Sequence, residues 1–438
     1  LIDIALALAI ASSSEVALKD EYSSKNNGEK RAIVLVVDGC GIGAAPDHAE
    51  FGDSADCNSL ANTARAVGGL KLPNMARLGL GNITSVHGVA PASSPEGIYG
   101  KLQEESNGKD TQTGHWEMMG IISPTAFPMF YQGFPPEVID RFIAETGCKG
   151  ILCNKPASGT TVLEELGDEH RRTGFPIVYT SGDSVFQVAT HVDVVPLETL
   201  YKWCEIARKI LDGPYRVGRV IARPFTGESG AYKRLSGDRH DYAVPPPSQT
   251  FLDNALNSGL GVFGIGKIED IFVGNGLSHA KHTGTNEEGL DLTLKAIKGD
   301  IDLKTVQLSS TRPDNMGLIF TNLVDTDSLY GHRRDVKGYG AALEEIDVWL
   351  GQIMAAMRPD DLLLISSDHG NDPTAPGTDH TREFVPLIGY SPSLVSAKRT
   401  GDIGIRDGFA DIAGTLSSWL DVDWNGPGKS FVPEPVLS

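Results

Sequence analysis

The sequence predicts an α/β fold: a discontinuous core on a mostly parallel sheet, with a second, smaller α/β unit inserted between its halves. Three observations lead there. Short, wholly apolar runs such as Leu362 to Ile365, hemmed by polar residues, read as strands buried on both faces. Such runs alternate with amphipathic helical patterns before residue 126 and after residue 243. The intervening stretch carries its own helices and ends in the stiff connector VPPPS at 244–248. At 438 residues the chain also exceeds what a single core usually organises.

In chain order, residues 1–30 come first and are set aside. Their apolar run, LIDIALALAI, is too short to span a bilayer and lacks a positive leading region, so an extension outside the fold is expected. The fold opens at Arg31, where RAIVLVV reads as a buried strand running into the acid Asp38 and a glycine turn. Gly39, Gly41 and Ala44 match a dinucleotide-binding pattern, but Asp38 would repel a pyrophosphate and Pro46 interrupts the helix such a site needs. Two short helices broken at Gly68 and Pro73 follow, then a Thr-bearing turn, GKDTQTGHWE. The inserted unit, residues 126–243, carries two helices whose stripe of Phe142, Leu200, Trp203, Ile206 and Ile210 reads as core. Its loops hold Asp183, Arg219, Arg223 and Arg234. Arginine suits bidentate recognition of phosphate, although any single one is more often a surface ion-pair residue.

After the connector the strand pattern resumes. GVFGIG leads to Lys267, MGLIFTNL leads to Asp325, Asp327 and His332, and VPLIGY forms a further strand. The helix from Tyr339 to Met357 turns Leu343, Ile346, Leu350 and Ile353 to one side; a closing helix does so with Phe409, Ile412, Leu416 and Trp419.

Composition limits what this fold can do. A formal net charge of -19 argues against a nucleic-acid surface and gives no attraction to anionic membranes. An anionic substrate would need cations at the site to overcome that field. Five cysteines, odd in number and without CxxC spacing, favour a reducing compartment, and the cytoplasm is the expectation. A monomer is expected, with an oligomer left open.

The chemistry concentrates between Asp361 and Arg382, where a strand is followed by Asp368 and His369, a Pro/Gly-rich turn, and then Asp379 and His380. Ligands of open parallel sheets bind beyond the carboxyl ends of the strands. Strand ends that converge there bring together Asp38, Asp327, His332, Asp368, His369 and His380. Taken singly, Asp327 could be a turn residue and His332 a solvated one. Six mixed carboxylate and imidazole groups suffice for two ions of the Mn²⁺ or Zn²⁺ type. Two ions about 4 Å apart clamp a phosphoryl group and activate its attacker.

The segments RAIVLVVDGCGIG, GKDTQTGHWE, YTSGDSVFQ, GRVIARPF, DRHDYA, NLVDTDSLYGHRRD and SSDHGNDPTAPGTDHTRE resemble, in order and spacing, those of the phosphopentomutases, members of the alkaline phosphatase superfamily. The resemblance runs from about residue 31 almost to the C-terminus and implies an alkaline-phosphatase-like core over 31–125 and 244–438, with a cap over 126–243. It implies that Asp38, Asp368 and His369 hold one Mn²⁺ and that Asp327, His332 and His380 hold a second, other divalent ions remaining possible. It implies that Thr111 is phosphorylated, that Thr113 is structural, and that Asp183, Arg219, Arg234 and Lys267 hold substrate. The implied reaction interconverts the 1- and 5-phosphates of ribose or 2-deoxyribose through a 1,5-bisphosphate, primed by a sugar 1,5- or 1,6-bisphosphate and linking nucleoside breakdown to pentose phosphate metabolism. Pentose phosphates would be its partners, with no nucleic acid or membrane. Departures such as Gly39, Cys40 and Gly182 remove no ligand. Two other readings stay open: a metal-dependent phosphatase or phosphoglycerate mutase, and a catalytically silent metal-binding protein.

Overall fold

The computed structural model describes residues 30–181, 184–309, 313 and 315–432. The extension expected over 1–30 lies, apart from Lys30, outside the described residues, as does Asp183. The strands in chain order are β1 (Arg31–Val37), β2 (Ile98–Leu102), β3 (Leu152–Pro156), β4 (Ile177–Thr180), β5 (Val185–His191), β6 (Arg219–Thr226), β7 (Lys233–Arg234), β8 (His240–Ala243), β9 (Val262–Ile265), β10 (His279–Lys281), β11 (Leu318–Leu323), β12 (Asp361–Ser366), β13 (Val385–Tyr390) and β14 (Gly401–Arg406).

Eight of them form one sheet in the order β10-β9-β11-β1-β12-β13-β2-β14. At its centre β1 pairs in parallel with β11 and β12, Ala32 facing Leu318 on one side and Leu362 on the other. Alternation along β1 divides the core into two layers. Ala32, Val34 and Val36 pack with Phe251, Phe272, Ile412 and Leu416 on one face; Ile33, Leu35 and Val37 pack with Leu60, Leu290, Leu343 and Ile346 on the other. Because helices cover both faces, no position of β1 is polar-facing, and the strand reads as a continuous apolar run.

One strand runs against the rest. β13 is antiparallel to both β12 and β2. The chain leaving β12 stays at the same sheet edge through residues 367–384, without a crossover helix, so the next strand can only return antiparallel. The edge pair β2 and β14 carried little sequence signal, because β14 (GDIGIR) is largely exposed and glycine-interrupted. Glycine is needed at position 100, where a Cβ would meet the Gly404 carbonyl at 2.4 Å.

A second sheet takes its strands from residues 152–243, in the order β3-β4-β5-β6-β7 with β8 also on β6. Helices Pro136–Thr146 and Leu197–Ile210 cover one face, and Thr161–Thr173 the other. Of the expected stripe, Phe142, Leu200 and Ile210 are buried, but Trp203 and Ile206 are only partly so. Cys204 and Ala207 take the inward positions instead.

Candidate active site

The carboxyl ends of β1, β11 and β12 and the entry to β13 meet at one edge of the large sheet, and each delivers metal-ligand chemistry there. Asp38 follows β1, and Gly39 turns the chain sharply, with φ +76°. A Cβ on Gly39 would stand 3.3 Å from Asp327 Cβ and 3.1 Å from Asn371 Cβ, so glycine lets two acid-bearing turns come together. Beyond β11 the chain forms a π-helix, Thr326–Gly331, in which the His332 amide donates to the Asp327 carbonyl at 3.1 Å. That five-residue closure brings Asp327 and His332 to the same side, with His332 Nε2 3.5 Å from Asp327 Oδ2.

Two triads emerge. Asp38, Asp368 and His369 offer ligand atoms lying within 4.8 Å of one another, and so do Asp327, His369 and His380. His332 joins the second, its Nε2 3.1 Å from that of His380. His369 therefore stands between the two groups, its ring stacked at 3.9 Å on that of His380. Each imidazole is oriented by a backbone carbonyl at Nδ1: His332 by Thr378 (2.7 Å), His380 by Lys109 (2.8 Å) and His369 by Gly370 (3.1 Å). That arrangement fixes the rings and leaves every Nε2 pointing inward, as a ligating histidine requires.

The donor set fits divalent cations on its own chemistry. Asp38 Oδ1 and Asp368 Oδ2 are buried and have no hydrogen-bond partner. Carboxylate oxygens left bare inside a protein are costly unless a cation or a donor faces them. Burial works to raise the Asp38 pKa, yet Lys267, whose Nζ is 3.6 Å from Oδ2, and His369 bring it down to about 2. Asp327, against the same effect of burial, is held well below the usual carboxylate range by His332 and His380. Ionised oxygens beside imidazoles suit ions of the zinc or manganese kind.

Thr111 is the first residue of helix Thr111–Met118, and its Oγ1 lies 3.3 Å from His369 Nε2. Asp110 caps that helix by accepting from the Thr113 amide at 3.1 Å, and Thr113 Oγ1 donates to the same carboxylate at 2.6 Å. Thr113 is thus occupied in the cap while Thr111 faces the triads. Several supporting residues escaped the sequence reading. His115, fully buried, bonds the Thr111 carbonyl through Nδ1 (2.8 Å), with Nε2 3.3 Å from Asn322 Nδ2. Asn322 donates in turn to Asp38 Oδ2 at 3.1 Å. Asn371 donates to Asp327 Oδ1 at 2.7 Å. Arg382 is 2% exposed and bonds Glu104, Asp47 and the Gly108 carbonyl, clamping the loop that leads to Thr111. Asn322 stands out as a polar residue inside an apolar strand, and His115, Asn371 and Arg382 lie within the segments that carry the resemblance, but their contacts needed the fold.

Thr111, Lys109 and His380 lie in a cleft of about 1020 Å³ whose opposite wall comes from the second sheet. Arg219, Arg239 and Asp241 line that wall, and Lys267 reaches in from the large sheet. Arg239 holds Asp241 through two bonds of 2.7 and 2.6 Å, and Arg219 Nη1 approaches the same carboxylate at 3.6 Å. Arg234, exposed on β7, is not among the residues that line the cleft. The structure thus gathers the six ligand candidates next to Thr111 and places Thr111, His380, Lys267 and Arg219 in one cleft, without Arg234 among its lining residues.

Comparison with known proteins agrees with this geometry. The model of the metalloenzyme superfamily matches residues 30–423. A phosphopentomutase of Anaeromyxobacter sp. (strain K) is 49% identical over 405 residues, covering 92% of this chain and 99% of its own. Those of Alkaliphilus metalliredigens (strain QYMF) and Carboxydothermus hydrogenoformans are 49% and 50% identical, each covering 92% of this chain and 98% of its own. The chain belongs to the phosphopentomutase family, within the metalloenzyme superfamily.

Proposed function

We propose that the chain interconverts the 1- and 5-phosphates of ribose or 2-deoxyribose, with Thr111 as the residue that carries the phosphoryl group between them. The observation that carries this reading is Thr111 Oγ1 at 3.3 Å from His369 Nε2, between two carboxylate–histidine triads and open to a cleft with cationic side chains. On this reading Asp38, Asp368 and His369 hold one ion and Asp327, His332 and His380 a second. Two bound Mn²⁺, or other divalent ions, would lower the pKa of the threonine hydroxyl and neutralise charge on the phosphoryl oxygens.

Priming phosphorylates Thr111: its oxygen bonds to the phosphorus of a sugar 1,5- or 1,6-bisphosphate, whose ester oxygen leaves. The free hydroxyl of a pentose monophosphate then attacks the phosphothreonine. A pentose 1,5-bisphosphate forms and the threonine oxygen leaves. The sugar turns over, and Thr111 takes the phosphoryl from its other end. Arg219, Arg234, Asp183 and Lys267 are the proposed sugar-phosphate contacts. The second sheet serves as a cap that keeps water from the phosphothreonine, so that transfer outruns hydrolysis. The proposed setting is the cytoplasm, for which five free cysteines speak, and the proposed role joins nucleoside breakdown to pentose phosphate metabolism.

Conversion of ribose 5-phosphate to ribose 1-phosphate, with Mn²⁺ and a trace of sugar bisphosphate, tests this on the parent and on Thr111→Ala. Turnover in the parent that falls at least 10³-fold in the variant, with metal content kept, is expected. Phosphate release without isomerisation by the parent would overturn the mutase in favour of a phosphatase.

A further inference from the structure

Between the π-helix and the long helix Val336–Ala356 the chain turns at Arg334, whose backbone is left-handed, with φ +56°. A side chain other than glycine is strained there, so the contacts of the guanidinium have a cost to offset. They are many. Nε donates to the Gly377 carbonyl at 2.7 Å, and Nη2 to the Asp379 carbonyl at 3.1 Å. Nη1 donates to the carbonyls of Gly331 (3.1 Å) and Asp372 (2.9 Å) and to Asn371 Oδ1 (2.8 Å). Among the described residues Arg334 makes no ion pair; its fork is directed at carbonyl and amide oxygens from two separate stretches of chain.

Those stretches carry the three ligands proposed for the second ion. Gly331 immediately precedes His332, and Asp379 immediately precedes His380. Gly377 and Asp379 flank Thr378, whose carbonyl orients the His332 ring at Nδ1. Asn371 donates through Nδ2 to Asp327 Oδ1 at 2.7 Å, and the donor that Arg334 sets on its Oδ1 decides which way that amide faces. The candidates for the first ion are held by other groups. Asn322 and Lys267 face Asp38, the Gly39 amide donates to Asp368 Oδ1 at 3.1 Å, and the Gly370 carbonyl orients His369. We infer that Arg334 is the positioning residue of the second ion: its guanidinium holds Asp327, His332 and His380 in one geometry while bonding none of their side chains, and it does not serve the first ion. This rests on the two-ion reading. The effect is carried by the fork, not by the charge alone.

Calorimetric titration of the metal-depleted full chain with Mn²⁺ tests this on the parent, Arg334→Lys and Arg334→Gly. Lysine keeps the charge without the planar fork; glycine removes the side chain and suits the left-handed backbone, so it tests the inference even if the lysine variant folds poorly. The parent is expected to take two ions. Both variants are expected to bind one of them about tenfold or more weakly and the other with little change, as loss of a group that orients ligands predicts. The weakened event should be the one that Asp327→Asn removes. Turnover of ribose 5-phosphate should fall at limiting Mn²⁺ and recover towards the parental kcat at saturating Mn²⁺. Two unchanged events in both variants would overturn the inference. So would equal weakening of both events with a lowered melting temperature, which is what a merely structural arginine gives, or parental binding in Arg334→Lys, which would leave only charge at work. A parent that takes fewer than two ions overturns the two-ion reading and this inference with it. Two events in a parent without mutase turnover overturn the mutase alone, and the titration of the variants then upholds or overturns the role of Arg334.

Discussion

The two walls of the cleft are built on opposite plans. On the large sheet the six ligand candidates are sunk to between 0% and 8% exposure apart from half-buried His332, with Asp327 held by a side-chain donor and the imidazoles by backbone carbonyls. On the cap wall Arg219, half-buried on β6, and Arg239, exposed just before β8, share the carboxylate of Asp241. The first wall fixes positions to fractions of an ångström, as metal chemistry demands. The second presents positive charge on flexible stems, which suits a ligand that must be bound, turned and released.

That contrast can be broken most sharply at Asp368. Asp368→Asn keeps the volume but removes a buried charge from a proposed ligand. Turnover should fall by 10³-fold or more, and metal content, read by elemental analysis, should drop from about two ions per chain towards one. Retained occupancy with retained turnover would show the core wall to be as forgiving as the cap.

A smaller effect concerns the cost of gathering these charges. Asp38 titrates at about 2 against an ordinary 3.8. A carboxyl lowered on folding stabilises fully above its unfolded pKa, and that contribution is lost as pH falls through the folded value. After chelation the parent should therefore lose about 2 kcal/mol of stability between pH 3.8 and 2 on account of this group. Asp38→Asn should lack that share in denaturant titrations across the same range. Identical slopes would mean that Lys267 and His369 do not hold Asp38 down.

The smallest effect belongs to the cap. Arg219→Ala should raise KM about tenfold, near 1.4 kcal/mol, while metal content stays at the parental level. Loss of metal in this variant would erase the distinction between the walls.

The contrast also explains what could be read from the sequence. The core was legible because burial on both sheet faces leaves apolar runs, and an acid directly after such a run, as at Asp38, or two serines beyond it, as at Asp368, stands out. The antiparallel turn of β13 was not, since strand direction depends on where the preceding loop must stay. On the cap, Arg219 and Arg223 take the partly buried positions of an otherwise buried strand, and Arg239, within DRHDYA, is not singled out by that segment. Which arginine enters the cleft is decided by the pairing of β8 with β6, a tertiary fact. His115 lay within a quoted motif, but its bond to the carbonyl of Thr111 exists only once helix Thr111–Met118 forms.

The π-helix between Asp327 and His332 acts as a ruler. Its wide turn places residues five apart in line, whereas an α-helical turn would align residues four apart. Inserting one residue between them would leave both side chains in the chain but carry His332 out of line with Asp327 and His380. An insertion that a surface loop absorbs would here dismantle half of the candidate site, so the four-residue gap matters to the proposed ligand set as much as the two residues that bound it.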